Sequence, residues 1–493
     1  MHETNADAAV IEPVLPLLRC EIAVVGSGPG GAITACLLAE AGRDVLLIEE
    51  GPNLGLESCL PFSIDEMAQK YRNGGLTSTL GRVKVQYVEG RCVGGGSEIN
   101  SGLYHRTPSD ILEKWRVEFQ VDALREEDLL PHFEACERDL KVGCMPGEAP
   151  AASSKLHEGA RRLNWTSIEV PRWYSYDPPT GGERMPRARR RSMTQTFIPR
   201  ALRAGCRLLS STRVRKLRRR STSGWELHAE HRAASQHRPI RVEADHVFIC
   251  GGAVQTPALL RRSGIRENVG NSLRLHPMIK VVARFPDVVN SLDMGVPVHQ
   301  VKEFAPRISL GGSISTPPYL AIALRDSCLD GQLLDQWQHM AVYYAATISN
   351  GSGSIRCLPG YHDPVVRYRI TQRDLQELSE ALRRLSETLF AAGATTLYPC
   401  ASRSAPLTTP DDLRRLPDVL DGERSNLMTV HLFSSCPMGE DRRRCATDSF
   451  GRVHGHDNLY VSDASLLCTA PGVNPQGSIM ALARRNALAF LQR

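Results

Sequence analysis

Residues 21–51 read EIAVVGSGPGGAITACLLAEAGRDVLLIEEG, and this stretch decides the fold. A short apolar run over 22–25 ends in a glycine-rich loop, and apolar residues at helical spacing follow the loop. Gly42 ends the helical pattern, and a second apolar run finishes at Glu49. A strand, a glycine loop, a helix, a strand and an acid in this order predict a unit that binds a dinucleotide.

The glycines of this loop have separate tasks. Gly26 allows a tight turn, Gly28 lets the backbone approach a diphosphate, and Gly31 lets the helix pack closely on the sheet. Glu49 lies 23 residues after Gly26, where its carboxylate can accept hydrogen bonds from an adenosine ribose; such an acid disfavours NADP. The unit does not separate FAD from NAD, and a tight turn without a ligand is the alternative interpretation.

Length and composition limit the classes of protein. The chain has 493 residues, which favours two domains, and its net charge of +6 is too diluted to indicate nucleic-acid binding. Two basic runs, 184–191 and 213–220, lack interleaved aromatic residues, so we expect them to be solvated. The first twenty residues lack the basic segment of a signal peptide, and no apolar stretch is long enough to span a membrane.

The cysteines indicate a compartment. The chain has 14 cysteines, but they are scattered and form no CxxC pair. This spacing favours neither a disulfide framework nor a zinc site. We therefore expect a cytoplasmic protein in a reducing environment, with no metal site.

Two further glycine segments resemble a known family. Residues 90–102 read GRCVGGGSEINSG, and residues 247–265 read VFICGGAVQTPALLRRSGI. Together with VGNSLRLHP at 269–277, they resemble the glucose-methanol-choline (GMC) oxidoreductases, which bind FAD. The match departs from the family pattern at Arg266, where a glycine is usual.

The resemblance implies which residues hold FAD. Some relatives attach FAD covalently to a histidine in the second glycine segment, but Ile99 stands there, so we expect noncovalent FAD. Val214 is implied to lie beside adenine, and Asp463 to help hold the flavin chain. The implied cofactor-binding residues are Gly26, Gly28, Gly31, Glu49, Arg91, Gly95, Ser97, Asn100, Val214, Gly252 and Asp463.

The catalytic residues are implied by the C-terminal part of the chain. His431 opens HLFSSCPMG and Asn474 lies in APGVNPQGS, and these resemble the active-site histidine and asparagine of the family. A histidine can remove a hydroxyl proton near neutral pH, and an amide can donate to the substrate oxygen. Without the resemblance, His431 would be a structural histidine, and Asn474 before Pro475 would be a helix N-cap.

The fold class implied is α/β (α+β), in two parts. A Rossmann-like FAD-binding domain is expected from 1–110, 190–280 and 430–493, and a substrate domain from 111–189 and 281–429. In the second domain, strand-like stretches precede an amphipathic helical pattern over 374–393, which predicts an antiparallel sheet with helices. Residues 149–157 and 177–191 are expected to form surface loops.

The substrate is the least defined feature of the sequence. The resemblance implies oxidation of a small-molecule primary alcohol to an aldehyde, with hydride transfer to flavin N5 and with O₂ or another electron acceptor. The favoured substrate is an aminoglycoside hydroxymethyl group of the paromamine 6′ type, in antibiotic biosynthesis; the alternative is a long-chain alcohol or sterol. A cationic aminosugar needs carboxylates near the pocket, and the candidates are Asp287, Asp293, Glu303 and Asp326.

Other functional classes stay open at this stage. A flavin-containing lyase would keep FAD and perform no redox chemistry. A flavin-binding module without catalysis would not need both His431 and Asn474. An NAD-dependent dehydrogenase would carry the first glycine loop without the segment 247–277.

Overall fold

The computed structural model describes residues 17–177, 187–233, 236–292, 295–325, 331–402 and 404–493. The strands, in chain order, are β1 Leu17–Val25, β2 Val45–Ile48, β3 Thr77–Ser78, β4 Val85–Tyr87, β5 Ser167–Glu169, β6 Tyr174–Asp177, β7 Arg187–Arg190, β8 Arg207–Leu209, β9 Thr212–Arg219, β10 Trp225–Ala233, β11 Gln236–Ile249, β12 Arg274–Leu275, β13 Met278–Arg284, β14 His299–Val301, β15 Ile308–Gly312, β16 Met340–Thr347, β17 Ser352–Arg356, β18 Val365–Arg369, β19 Thr396–Pro399, β20 Leu427–Thr429, β21 Leu432–Phe433 and β22 Leu459–Val461. The α-helices are α1 Pro29–Glu40, α2 Ile64–Lys70, α3 Ser109–Glu118, α4 Glu126–Leu140, α5 Ala151–Arg162, α6 Phe197–Arg203, α7 Gly252–Arg262, α8 Pro317–Leu324, α9 Gln372–Ala391 and α10 Gln476–Leu491.

The first sheet has the order β8-β2-β1-β11-β10-β9. The pairs from β8 to β11 are parallel, and β10 and β9 extend the sheet as antiparallel strands. All four residues of β2 are buried, as expected for a parallel strand covered on both faces. Helix α1 follows β1 and packs against α6 and α10. The predicted Rossmann-like unit is confirmed.

Strand β11 joins distant parts of the chain within this sheet. Most of its length pairs with β10, whereas residues 247–249 pair in parallel with β22. The C-terminal segment thus enters the sheet that the N-terminal segment begins. Because Asp463 follows β22 directly after Ser462, this pairing brings it beside the start of α7.

The second sheet has the order β3-β4-β20-β13-β16-β15-β14-β5, and β19 also pairs with β13. Its neighbouring strands are antiparallel except for β4 and β20. Helices α5 and α9 cover one face, and α9 buries Leu378, Leu382 and Leu385 there. The predicted antiparallel sheet and amphipathic helix are confirmed. Strands β3 and β4 belong to the segment 1–110, and the domain boundaries themselves stay a prediction.

The expected loop at 149–157 is wrong, because most of it belongs to helix α5. Ala152, Leu156 and Ala160 recur at helical spacing on the buried face. Two of these three residues are alanines, so the apolar stripe is weak in the sequence. Small side chains suit this position because α5 packs directly against α9.

The expected loop at 177–191 is wrong at its described ends, whereas residues 178–186 lie outside the described part of the chain. Residues 174–177 and 187–190 form the antiparallel pair β6–β7. Arg189 is exposed, as expected of a solvated basic run. Arg190 is buried: its guanidinium lies 2.9 Å from a Glu66 carboxylate oxygen and over the ring of Phe62.

The second basic run is also only partly solvated. Arg213, Val214 and Leu217 are buried, and Arg213 forms ion pairs with Glu50 and Asp363. The exposed residues of β9 alternate with these inward-facing ones only approximately. A charged run in a strand therefore contributes both to the surface and to the interior.

Three global features concern all the described residues. None of the helices there has the length and apolar character that crossing a membrane requires. The cysteines within these ranges form no disulfide bonds. Within the same ranges, no group of three or more His, Cys, Asp and Glu side chains could hold a metal ion.

Candidate active site

A cavity of about 520 Å³ is lined by residues of both sheets. It brings together segments that are far apart in the sequence, including both glycine loops and the C-terminal segment. The predicted site residues that line it are Gly26, Gly28, Glu49, Gly95, Asn100, Val214, Gly252, His431, Asp463 and Asn474. Gly31, Arg91 and Ser97 do not line it.

The first glycine loop forms one wall of this cavity. Gly26 has a φ of +104°, and a Cβ on Gly31 would lie 1.9 Å from the Gly26 carbonyl oxygen. A Cβ on Gly28 would meet no protein atom within 4 Å, because this position opens into the cavity. The loop is therefore tight on its protein side and open on its ligand side.

Two helix N-termini face the cavity. Gly28 and Pro29 at the start of α1 line it, and so do Gly251 and Gly252 at the start of α7. Free N–H groups and the positive end of the helix dipole bind phosphate groups at such positions. At the start of α7 the Gly251 and Gly252 N–H groups already donate to Thr256 and Asp463. The start of α1 has no side-chain cap, and together with the open space at Gly28 it fits the diphosphate of a dinucleotide such as FAD.

Glu49 braces the loops around this site. Its carboxylate accepts hydrogen bonds from the Ser27 N–H at 2.9 Å, the Ser27 hydroxyl at 2.7 Å and the Gly51 N–H at 2.8 Å. The Ser27 hydroxyl oxygen also accepts a hydrogen bond from Gly94 N–H at 3.0 Å. Burial raises the pKa of Glu49. The carboxylate thus connects the end of β2 to both glycine loops.

Asp463 fixes the start of α7. Its carboxylate accepts hydrogen bonds from the Gly252 N–H at 2.8 Å and from the Thr256 hydroxyl. It also accepts from the Ser465 N–H at 2.8 Å and the Ser465 hydroxyl at 2.6 Å. Protein groups therefore occupy all the usual acceptor positions of this carboxylate, and Asp463 acts on the cavity by positioning α7.

Two predicted residues lie behind the cavity wall. The Ser97 hydroxyl donates to the Gly94 carbonyl at 2.8 Å and accepts from Met193 N–H at 3.0 Å. The guanidinium of Arg91 lies 3.3 Å from a carboxylate oxygen of Glu50. These contacts hold the second glycine loop against neighbouring segments.

Asn100 ties the second glycine loop to the C-terminal helix. Its side-chain N–H donates to the Gln476 side-chain oxygen at 2.6 Å, and its oxygen accepts from Gly102 N–H at 2.9 Å. Gln476 is the first residue of α10. The loop and the helix therefore keep a fixed relation at the edge of the cavity.

His431 lies in the two-residue connection between β20 and β21. Its backbone N–H donates to the Thr429 hydroxyl at 3.0 Å, and that hydroxyl donates to the His431 carbonyl at 2.9 Å. Its ring Nδ1 lies 3.2 Å from Nδ1 of His276. Burial lowers the pKa of His431 to about 4 and also lowers the pKa of His276. Both rings are neutral near pH 7.

Asn474 points its amide at His431 and caps no helix. Helix α10 begins at Gln476 with Pro475 as N-cap, and no side chain bonds to the helix start. The amide nitrogen Nδ2 of Asn474 lies 3.3 Å from Nε2 of His431. Its oxygen accepts a hydrogen bond from Gln300 at 3.2 Å. The N-cap interpretation is therefore wrong.

The histidine pair can hold its protons in two ways. Three contacts form a chain here. Gly472 N–H lies 3.2 Å from Nε2 of His276, His276 contacts His431, and His431 contacts Asn474. In the first arrangement Gly472 N–H donates to Nε2 of His276, so His276 carries its proton on Nδ1 and His431 carries its proton on Nε2. In the second arrangement Asn474 donates to Nε2 of His431, both ring protons move to the other nitrogens, and the hydrogen bond from Gly472 is lost. Only the second arrangement leaves Nε2 of His431 free to accept a proton.

The sequence interpretation missed or undervalued part of this cluster. His276 carried only a weak signal, which was its place near the end of the stretch VGNSLRLHP at 269–277. Gln300 carried none, because it is one polar residue in a three-residue strand and its partner lies 174 residues away. Tyr344, which accepts from Gln300 at 2.7 Å, lies within an apolar strand.

A chamber of about 100 Å³ adjoins the main cavity and shares His431 and Asn474 with it. Of the four carboxylates expected near the pocket, the two within the described residues, Asp287 and Glu303, line neither the cavity nor the chamber. Asp287 lies 2.7 Å from the Lys155 amine and is largely exposed, and Glu303 accepts hydrogen bonds from Thr166 at the surface. The other two candidates, at 293 and 326, lie outside the described residues.

Comparison with known proteins identifies relatives over nearly the whole chain. The family description "GMC oxidoreductase" matches residues 67–278 and 351–483, and a Rossmann-like NAD(P)-binding description matches residues 24–59. An uncharacterised GMC-type oxidoreductase of Sinorhizobium fredii is 38% identical over 96% of this chain and 95% of its own length.

More distant relatives have named activities. A long-chain-alcohol oxidase of Arabidopsis thaliana is 25% identical over 94% of this chain and 67% of its own length. The 6'''-hydroxyparomomycin C oxidase of Streptomyces lividus is 25% identical over 95% of this chain and 91% of its own length.

A solved structure shares the fold. Pyridoxine 4-oxidase from Mesorbium loti superposes with a TM-score of 0.72 at 20% identity, over 96% of this chain and 99% of its own. The family matches cover most of the chain, and the Sinorhizobium relative is similar over 95% of its own length. This chain is therefore an oxidoreductase that belongs to the GMC oxidoreductase family.

Proposed function

We propose that this chain oxidises a primary alcohol group of a small molecule to an aldehyde, with His431 as the base and Asn474 as the donor to the substrate oxygen. FAD is the cofactor and, when bound, accepts the hydride from the carbon that carries the hydroxyl. The observation that carries the proposal is the pairing of Nε2 of His431 with the Asn474 amide, 3.3 Å apart, in the cavity that also contains the first glycine loop.

The protein groups perform the proton chemistry. His431 accepts the hydroxyl proton on Nε2 in the tautomer that carries its own proton on Nδ1 and donates that proton to His276, and in this tautomer Nε2 of His276 gives up the hydrogen bond from Gly472 N–H. The Asn474 amide then donates to the oxygen as negative charge develops on it. Gln300 holds the amide in this orientation through its contact with the Asn474 oxygen.

The residues that line the cavity support an assignment of the chain segments to two domains. We propose the FAD-binding part at 1–110, 190–280 and 430–493, and the substrate part at 111–189 and 281–429. The glycine loops support the first assignment, and Gln300 supports the second.

Ile99 lines the cavity in place of a linking histidine, so FAD is held without a covalent bond. The electron acceptor is O₂ or another carrier, and the buried free thiols favour the cytoplasm.

The names of two relatives suggest substrate classes. The Streptomyces relative favours an aminoglycoside hydroxymethyl group, and the Arabidopsis relative favours a long-chain alcohol. Lys280 and Lys302 line the chamber beside His431, and no carboxylate is among the described residues that line it. A polycationic aminoglycoside would meet like charges there, so the lining disfavours this class.

The proposal is tested by anaerobic mixing of the FAD-loaded protein with paromamine, a long-chain primary alcohol and short-chain primary alcohols. Loss of the visible flavin absorbance band with any of them is the expected result, and its return on admitting air identifies an oxidase. A flavin that stays oxidised with every alcohol contradicts the proposal. A protein that cleaves a cyanohydrin while its flavin stays oxidised is a lyase instead.

A further inference from the structure

The wall of the chamber beside His431 contains two lysine side chains. Lys280 lies on β13 and lines both the chamber and the main cavity. Lys302 directly follows β14 and lines the chamber. His276, His431 and Asn474 line the same chamber, so both amines are close to the groups that hold the substrate hydroxyl.

Neither amine has a carboxylate partner within the described ranges. The Lys302 amine lies 3.4 Å from the Ser309 hydroxyl, a neutral group. The neighbouring carboxylate, Glu303, points to the surface, where it accepts hydrogen bonds from Thr166. Burial lowers the pKa of Lys302 to about 8 and lowers the pKa of Lys280. Both lysines are partly buried and neither forms an ion pair with a described residue, so a bound anion in the chamber would supply the missing opposite charge.

The carboxylates of the main cavity are engaged elsewhere. Glu49 and Asp463 accept hydrogen bonds from the glycine loop and from α7. Glu50 and Glu89 also line that cavity, and they contact Arg72 and Gln255 respectively. Among the described lining residues, negative charge is therefore confined to the main cavity, and the small chamber carries positive charge.

We propose that the substrate is a short-chain alcohol that carries a carboxylate, and that Lys302 and Lys280 bind this carboxylate while His431 and Asn474 hold its hydroxyl. The small volume of the chamber, about 100 Å³, favours a short carbon chain between the two groups. This inference rests on the proposed function, because it names the substrate of the same site.

A matched pair of compounds separates charge from shape. We would mix the FAD-loaded protein anaerobically with 3-hydroxypropionate and 4-hydroxybutyrate, and with their neutral amides. The hydroxycarboxylates should reduce the flavin at least about tenfold more efficiently than the amides, the discrimination expected for a charge-assisted hydrogen bond. Equal reduction by both overturns the carboxylate site but leaves alcohol oxidation standing. If no alcohol of any class reduces the flavin, the proposed function itself fails.

Variants of Lys302 test the assignment to this side chain. Lys302→Met should weaken the preference for the hydroxycarboxylates, to which Lys280 still contributes, and Lys302→Arg should restore part of it. Lys114→Met, on the exposed face of α3, is the matched control and should retain the full preference. The visible spectrum of bound FAD shows whether each variant is folded and loaded.

Equilibrium binding provides a measurement independent of turnover. Calorimetric titration of the oxidised, FAD-loaded protein with propionate should show binding at a single site, and propionamide should bind more weakly. In Lys302→Met the propionate dissociation constant should rise about tenfold or more. Absence of propionate binding to the unmodified protein, or binding that Lys302→Met leaves unchanged, overturns the proposal.

Discussion

The Nδ1 atoms of His276 and His431 lie 3.2 Å apart, and their ring planes meet at 83°. Burial of both rings disfavours the imidazolium forms, so one neutral ring donates to the other. The direction of this single hydrogen bond decides whether Nε2 of His431 carries a proton or a free lone pair. His276 is therefore a positioning residue for the proposed base.

We expect activity to persist in acid. A base works in its neutral form, and burial lowers the pKa of His431 to about 4, below the ordinary value of 6.5. The neutral fraction thus falls only as the pH drops through about 4, and kcat/KM should show its acid limb there. Replacement of the base, His431→Gln, should slow flavin reduction about 10²–10⁴-fold while FAD stays bound. An acid limb near 6.5 would contradict the buried, neutral histidine.

Removing the Asn474 amide should affect chemistry and leave stability almost unchanged. Asn474→Ala should slow flavin reduction about 10²–10³-fold, because a donor to the developing alkoxide is lost. Its melting temperature should match that of the unmodified protein, since Asn474 caps no helix.

Thr371 is the matched contrast to Asn474. Its hydroxyl accepts a hydrogen bond from Asp374 N–H at 3.1 Å, so it caps α9. Thr371→Ala should lower the free energy of unfolding by about 1 kcal/mol and leave flavin reduction unchanged. If Asn474→Ala destabilises the protein as much as Thr371→Ala does, the assignment of Asn474 to the site is wrong.

Two adjacent arginines should differ in their contribution to stability. The side chains of Arg190 and Glu66 are 4% and 2% exposed, whereas those of Arg189 and Asp177 are 53% and 46% exposed. Arg190→Met leaves the buried Glu66 carboxylate without its charged partner, which should cost about 3–5 kcal/mol. Arg189→Met should cost about 0–1 kcal/mol. Urea denaturation monitored by circular dichroism measures both, and equal costs would contradict the buried pair.

Two glycines of the first loop should fail in different ways when each is replaced by alanine. In Gly31→Ala, the new methyl group meets the Gly26 carbonyl oxygen, so the turn cannot form and soluble yield should fall. In Gly28→Ala, the methyl group points into the cavity, so the protein should fold but retain less FAD. The ratio of flavin absorbance to protein absorbance in the purified samples measures the difference. Full FAD retention in Gly28→Ala would place the diphosphate elsewhere.

The local pattern of the sequence predicted the parts of the fold in which neighbouring residues determine the structure. The first glycine unit and α9 are of this kind, because apolar periodicity and glycine spacing are visible within a few turns. Helix α5 was hidden by its alanines. The burial of Arg190 was hidden because its partner Glu66 lies 124 residues away.

The site was predictable in its residue types and less so in its contacts. Ten of the predicted residues line one cavity, yet the contacts of Asp463, Ser97 and Asn100 are with protein groups that no sequence pattern indicates. The lysine pair illustrates the same limit. The sequence near Lys302 does not show that the Glu303 carboxylate points away from the chamber. That orientation depends on a hydrogen bond from Thr166, which lies in a distant segment.

The shared strand β11 has a consequence for the synthesis of the protein. Its partner β22 and the residue that fixes the start of α7 both come from the last tenth of the chain, and so does Asn474. While the ribosome is still making that part, the nascent polypeptide has its first glycine loop but lacks the wall that closes the cavity. We therefore expect cofactor loading to wait until this segment has left the ribosome, and a product terminated before it would lack one wall of the cavity.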